Sequence, residues 1–253
     1  ILLAPFLSHA QETTTRDSTN NTDFLNQIHY GSNGFEMHSQ DSAFSIRIQS
    51  RLQFRYAYPN DENPITFNDF DNDKRQVFKI NRARIKVGGH GYKPWIKYYW
   101  EYELAGGVLL DFRMMIERWD FFQVKIGQWK VDFTRERTIS SGAQQMVDRS
   151  ILNRTFTIDR QQGVAFYGRV RKGMPGDFNY WLSVLTGSGR GSSENEDKHL
   201  MYVGKIQWNV FGRTVEMTGS DLENRTNPDF SIGVALMTTR GQYTRFSTSG
   251  GGE

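Results

Sequence analysis

The amino-acid sequence predicts an all-β protein, an antiparallel β-barrel that crosses a membrane with its strands. Three observations predict it. Apolar and polar residues alternate one for one along several segments, some of these segments are long enough to cross a bilayer, and basic residues collect on the polar side of the alternation. Composition agrees. The mean hydropathy is −0.62, and no internal stretch approaches the roughly 18 to 20 apolar residues of a spanning helix. A barrel hides its membrane face in such an average, because lipid-facing and water-facing residues cancel. Aromatic residues make up 14% of the chain against six prolines, a balance that suits strands. The absence of cysteine removes disulfide scaffolds, thiolate metal sites and cysteine nucleophiles together.

Residues 1–10 read as the remnant of a secretory signal, an apolar run Ile1 to Leu7 followed by Ser8-His9-Ala10 as a small-x-small cleavage site. Residues 11–33, rich in Thr, Asn and Ser, read as a polar lead-in. Residues 34–253 carry the strand pattern.

The first strand is expected over 44–58. Phe44, Ile46, Ile48, Leu52, Phe54, Tyr56 and Tyr58 fall on one parity, with Arg47, Gln49, Arg51, Gln53 and Arg55 on the other. The second, 77–91, sets Ala83, Ile85 and Val87 against Arg82, Arg84 and Lys86. Phe78 and Ile80 fall out of phase there and mark an expected bulge. The third, 95–104, sets Ile96, Tyr98, Trp100, Tyr102 and Leu104 against Lys97, Tyr99, Glu101 and Glu103. The fourth, 108–118, sets Leu110, Phe112, Met114 and Ile116 against Asp111, Arg113, Met115 and Glu117. Less regular strands are expected at 121–129, 163–171, 178–187, 199–210 and 229–239. Nine strands is an odd count, whereas a bacterial single-chain barrel closes with an even one, so further C-terminal strands are expected beyond Gly250-Gly251-Gly252-Glu253.

The connections alternate as they do in a spanning barrel, long at one end and short at the other. Links 59–76, 130–162 and 188–198 are long, and 172–177 is short. Two break the rule: Ala105-Gly106-Gly107 is too short for its end, and 211–228 is too long.

On the polar parity stand Arg47, Arg51, Arg55, Arg82, Arg84, Lys86, Lys97, Arg113, Lys125, Arg169, Arg171 and Lys205, facing Glu101, Glu103, Asp111 and Glu117. The whole chain is nearly balanced at +3, which sends the remaining acidic residues to loops such as 61–73. Rings of Arg and Lys select anions in a pore. An arginine on the lipid face costs roughly 2 to 4 kcal/mol near the midplane, so this parity must face water. Arg47, Arg51 and Arg55 are spaced about 13 Å apart along a strand, and Arg82, Arg84 and Lys86 about 7 Å. The candidate pore-lining, anion-binding residues are therefore Arg47, Arg51, Arg55, Arg82, Arg84, Lys86, Arg113, Lys125, Lys130, Arg169 and Arg171. The segment from Lys130 to Gln162, with Arg135, Arg137, Arg149, Arg154 and Arg160, either folds inward as a constriction or stays outside as an ordinary loop.

Enzyme chemistry finds no constellation. The five histidines are scattered, without HExxH spacing, and no GxSxG elbow or Walker-type lysine is present. Gly187-Ser188-Gly189-Arg190-Gly191 reads as a flexible loop tip, and Asp69, Asp71 and Asp73 as a solvated acidic loop. No metal, cofactor or nucleic acid is expected. A different reading stays open at this point, an exported β-sandwich or adhesin that binds ligands without conducting, its apolar face packed inward.

Residues 35–210 carry a run of motifs in fixed order: Phe78-x-Ile80-x-Arg82-Ala83-Arg84-Ile85, Gly127-Gln128-Trp129-Lys130 leading into Phe133-Thr134-x-Glu136, Asp148-Arg149-Ser150, Gly163, and Tyr180 to Gly187. In these the sequence resembles the phosphate-selective porin O and P family of Gram-negative bacteria, including the Bacteroidota type. The resemblance implies a 16-stranded barrel, usually a homotrimer, set in outer-membrane lipid and lipopolysaccharide, that passes phosphate or other small anions. Asp132 stands where the family often has proline, and Asp159-Arg160-Gln161-Gln162 matches its pattern loosely.

Overall fold

The computed structural model describes residues 28–31, 34–58, 76–146, 149–150, 152–153, 156–195, 198–221 and 225–240. The signal remnant at 1–10, most of the lead-in, the acidic loop around Asp61 to Asp73, Asp148, Arg154 and the last residues of the chain lie outside them.

Eleven strands follow one another: β1 (Ile28–Gly31), β2 (Gly34–His38), β3 (Ser45–Ala57), β4 (Val77–Gly91), β5 (Lys93–Glu103), β6 (Val108–Trp119), β7 (Phe122–Lys130), β8 (Arg160–Val170), β9 (Phe178–Leu185), β10 (Met201–Asn209) and β11 (Ser231–Thr238). They form a single antiparallel sheet in which each strand pairs only with its neighbours in sequence. Such a meander is the wall of an up-and-down barrel, which needs no crossover. Among the described residues β1 and β11 do not pair with each other, so the sheet is open.

The nine expected strands all form. The hairpin β1–β2 was not anticipated: Ile28 registers with Met37, and Phe35 of β2 with Ile48 of β3. Strands of four and five residues are too short to show a period of two, and the polar residues around Gly31 and Gly34 conceal them. The expected bulge in β4 is at Asn81, which the register skips: Gln53 pairs with Arg82 and Phe54 with Ile80. One extra residue reverses the side-chain phase, which is why Phe78 and Ile80 share a face with Ile85. A second shift, opposite Glu101 and Tyr102, skips Leu110 and buries it.

Burial along the strands is inverted relative to a water-soluble sheet. Leu52 is 57% exposed, Phe112 63% and Leu236 75%, whereas Glu101 and Asp111 are 5% and 4% exposed. Apolar residues exposed on one face over so many strands amount to a surface that a soluble monomer does not present. A sandwich would turn those side chains into its core, so that alternative does not describe this fold. Among the described residues the only contiguous apolar core lies on the polar side, where Trp129, Val131, Ile158, Ala165, Leu185, Met201 and Val203 pack together.

At one end the turns are short: 39–44, the single residue Tyr92, 120–121 and 171–177. The exception there is 210–230. At the other end stand 58–76, 131–159 and 186–200, with the tight 104–107 as the exception.

The turn after β8 is held by one carboxylate. Asp177, fully buried, accepts from Arg169 (2.9 Å to Nε and 2.5 Å to Nη2), from the Gly173 amide (2.8 Å) and from Asn209 Nδ2 (2.8 Å). The Arg169 guanidinium, followed by these other donors, holds the Asp177 carboxyl down at about 2. A lowered carboxyl pKa stabilises the fold above the ordinary value near 3.8, and that contribution disappears as pH falls toward about 2. Asp177→Asn is therefore expected to be less stable than the parent at pH 7. It also loses part of the parent's acid sensitivity between about pH 4 and 2, as read from urea unfolding in detergent at several pH values.

Candidate functional site

The register decides which charges meet. Arg51 of β3 lies opposite Arg84 of β4, and Gln53 opposite Arg82. Arg84 in turn lies opposite Glu103 of β5, Lys86 opposite Glu101, and Glu101 opposite Asp111 of β6. Like charges directly across a sheet repel unless each finds a partner. Arg84 does: Nε donates to Glu103 at 2.6 Å and Nη1 to Glu101 at 3.1 Å. Arg51 reaches away from the wall, donating to Ser141 Oγ at 2.7 Å and to the Ser141 carbonyl at 2.9 Å. Arg82 donates to Gln53 Oε1 at 2.6 Å.

The remaining candidates are spread along the same face. Arg47 pairs with Glu36 at 3.1 Å. Arg55 registers with Lys79. Arg113 stacks 4.6 Å above the Tyr99 ring and lies 3.5 Å from Asp111. Lys125 pairs with Asp132 at 3.0 Å while sitting between the Trp129 and Tyr167 rings. Lys86 has no ion pair or hydrogen bond among the described residues, and it borders a recess of about 300 Å³ with Arg47, Lys97 and Arg113.

Two candidates are placed differently from the expectation. Arg169 is committed to Asp177 and to the Gly212 carbonyl, so it staples a turn. Arg171 stands past the end of β8, in the turn, with a left-handed φ of 54°. The strand ends at Val170, one residue before the expected end, so its polar parity does not reach Arg171. The wall is also more balanced than the sequence suggested, because Glu36, Asp132 and Asp159 come onto it from outside the periodic segments.

The described residues of segment 131–159 lie across this polar face rather than outside it. Its two ends are clamped by the apolar cluster, through Val131 on one side and Ile158 on the other. The hydroxyls of Thr134 and Thr157, 2.6 Å apart, tie its neck. Within it a short helix α1 (Arg135–Thr138) forms, and Glu136 accepts from the Ser150 amide at 2.5 Å and hydroxyl at 2.6 Å. Arg149 donates to the carbonyls of Glu136 (3.2 Å) and Ile139 (2.8 Å), and Lys130 reaches the Ile139 carbonyl at 3.4 Å. Leaving from β7 and returning to β8, the segment touches Arg51 on β3, so it crosses the width of four strands.

Between segment and wall the basic groups outnumber the acidic ones. Arg160, 3% exposed, donates Nε to Asp111 at 2.5 Å, with Glu101 and Asp159 each 3.9 Å from its other nitrogens. Its Nη2 has no hydrogen-bond partner. Arg137 pairs with Asp159. Burial, then the nearby Arg137 and Arg82, pull the Arg149 guanidinium down to about 10. Burial and then Arg160 act in the same direction on Arg190, from the 186–200 link. Arg149 stays charged at neutral pH, so the crowding is a standing positive potential that an anion would relieve. The sequence groups Arg137, Arg149 and Arg160 in one segment but does not join Arg190 to them, because no periodicity relates the segment after β7 to the 186–200 link.

The family model described as phosphate-selective porin O and P matches residues 48–247. No curated protein sequence matches the chain.

Proposed function

The chain belongs to the phosphate-selective porin O and P family, and on that premise we propose that its polar face lines a water-filled channel through which small anions, phosphate-like oxyanions among them, diffuse passively across a Gram-negative outer membrane. Porin is the coarse identity that the family carries, and the direction of selectivity comes from the charges. The observation that carries the proposal is the excess of guanidinium and ammonium groups where segment 131–159 meets the wall. Arg51, Arg82, Arg84, Lys130, Arg137, Arg149, Arg160 and Arg190 gather there around Glu101, Glu103, Asp111 and Asp159.

Several features favour transport over storage. Arginines fixed to carboxylates hold the shape of the site, and less committed cations such as Lys86 offer charge to a passing ion. Guanidinium planes can meet two phosphate oxygens at once, which an ammonium cannot. Conduction needs binding firm enough to admit an ion and weak enough to release it, and partly neutralised cations in series supply that compromise. The paired carboxylates lower the field at each step.

In planar bilayers holding the complete protein across a potassium chloride gradient, the reversal potential is expected to take the sign of chloride permeation. Added inorganic phosphate is expected to reduce chloride current in a saturable way. A cation-signed potential would contradict the proposal.

A further inference from the structure

The β10–β11 connection is the one link at its end that is far longer than a turn, and its described residues do not stay at the mouth. Its start is seated on the turn before β9, where Arg169 donates to the Gly212 carbonyl at 3.1 Å. Its base is stapled by Asp229, which accepts from Arg213 at 2.6 Å and from Arg225 at 3.3 Å. Arg225 also pairs with Glu216. From that base the chain runs to segment 131–159. Arg135 of α1 donates to the Glu216 carbonyl and lies 3.7 Å from Met217 Sδ, and the Gly219 amide donates to the Ala143 carbonyl at 2.6 Å. The approach at Gly219 is close enough that a Cβ there would stand 2.5 Å from the Gln145 nitrogen, so glycine is required.

Segment 131–159 leaves the sheet at the long-loop end, and the β10–β11 connection leaves it at the short-turn end. Strands of nine residues separate the two ends by about 30 Å. Two loops rooted at opposite ends of one wall touch only where one or both reach along its face, and the face they share is the polar one. We propose that residues 213–221 are a second constriction element, entering from the opposite end to segment 131–159 and closing against it, so that both loops set the narrowest cross-section of the channel. This rests on the channel reading above. Unlike the first loop, the second brings few fixed cations to the contact, since Gly219, Ala143 and Met217 meet through backbone and thioether. It therefore sets width more than sign.

The test uses the complete protein. A photoreactive phenylalanine analogue at position 217 is expected to crosslink to a peptide within 135–146, identified by mass spectrometry. Crosslinks exclusively to other regions would overturn the proposal. Gly219→Val, which forces the two loops apart, and Arg135→Ala, which removes two of the contacts, are each expected to raise single-channel conductance by roughly twofold or more, since one wall of the constriction is displaced. Gly219→Val is expected to keep the anion-signed reversal potential. Parent-like conductance in both variants overturns the second constriction, and if Gly219→Val does not fold, Arg135→Ala decides alone. A parent that passes no current would instead overturn the channel reading, while the crosslink still reports on the loop contact.

Discussion

Glutamate in place of both Arg51 and Lys86 is expected to lower the ratio of anion to cation permeability by roughly thirtyfold, measured as a shift in reversal potential across a salt gradient. The magnitude follows from the charges. A unit charge about 7 Å from a permeating ion contributes about 0.6 kcal/mol in bulk water, and two reversals change the wall by four units. Screening over about 8 Å at physiological salt removes roughly half, which leaves about 1 kcal/mol against an anion and as much in favour of a cation, about 2 kcal/mol in the ratio. These two positions are the cleanest for the purpose. Arg51 bonds only neutral groups, the hydroxyl and carbonyl of Ser141, and Lys86 is without a partner among the described residues. Arg84→Glu would be confounded, because Glu101 and Glu103 would then face a third carboxylate. An unchanged reversal potential in the double variant would remove these side chains from the permeation path.

Arg160→Met is expected to destabilise the protein by about 3 kcal/mol, because it takes from the buried Asp111 its 2.5 Å partner and leaves it only Arg113 at 3.5 Å, with Glu101 and Asp159, held by Arg84 and Arg137, beside it. The same change frees the return of segment 131–159, whose last apolar anchor, Ile158, sits two residues away. The measurement is the midpoint of urea unfolding in detergent. Arg160→Lys keeps a charge but not the fork of donors, so it is expected to fall between the two. A parent-like midpoint for Arg160→Met would mean that the carboxylates are solvated rather than held dry.

The wall was legible in the sequence because a barrel strand writes its geometry directly into the chain. Ile48, Leu52 and Phe54 against Gln49, Arg51 and Gln53 give both the strand and its two faces, and the slipped phase of Phe78 and Ile80 located the bulge at Asn81. Where periodicity stops, legibility stops with it. Whether residues 131–159 fold inward depends on Trp129, Val131 and Ile158 meeting Leu185, Met201 and Val203, a contact between positions far apart in sequence. Arg169 looked like its neighbours on the polar parity, but a carboxylate eight residues later, across a turn, decides its role. The departures from the family pattern acquire partners in the structure: Asp132 neutralises Lys125, and Asp159 holds Arg137. The overlong 211–228 link is visible in the sequence as an exception, but its partner, the segment after β7, is distant in sequence and shares no periodicity with it.

Which side of β3 meets lipid and which meets water can be measured one residue at a time, because the chain lacks cysteine. Single cysteines placed from position 46 to 55 in the membrane-inserted protein, probed with a charged, membrane-impermeant thiol reagent, are expected to label with a period of two. Gln49→Cys and Gln53→Cys should react, and Ile48→Cys, Leu52→Cys and Phe54→Cys should be protected by hydrocarbon. Labelling of the opposite set, or with no alternation at all, would contradict a water-filled interior lined by the arginine-bearing parity.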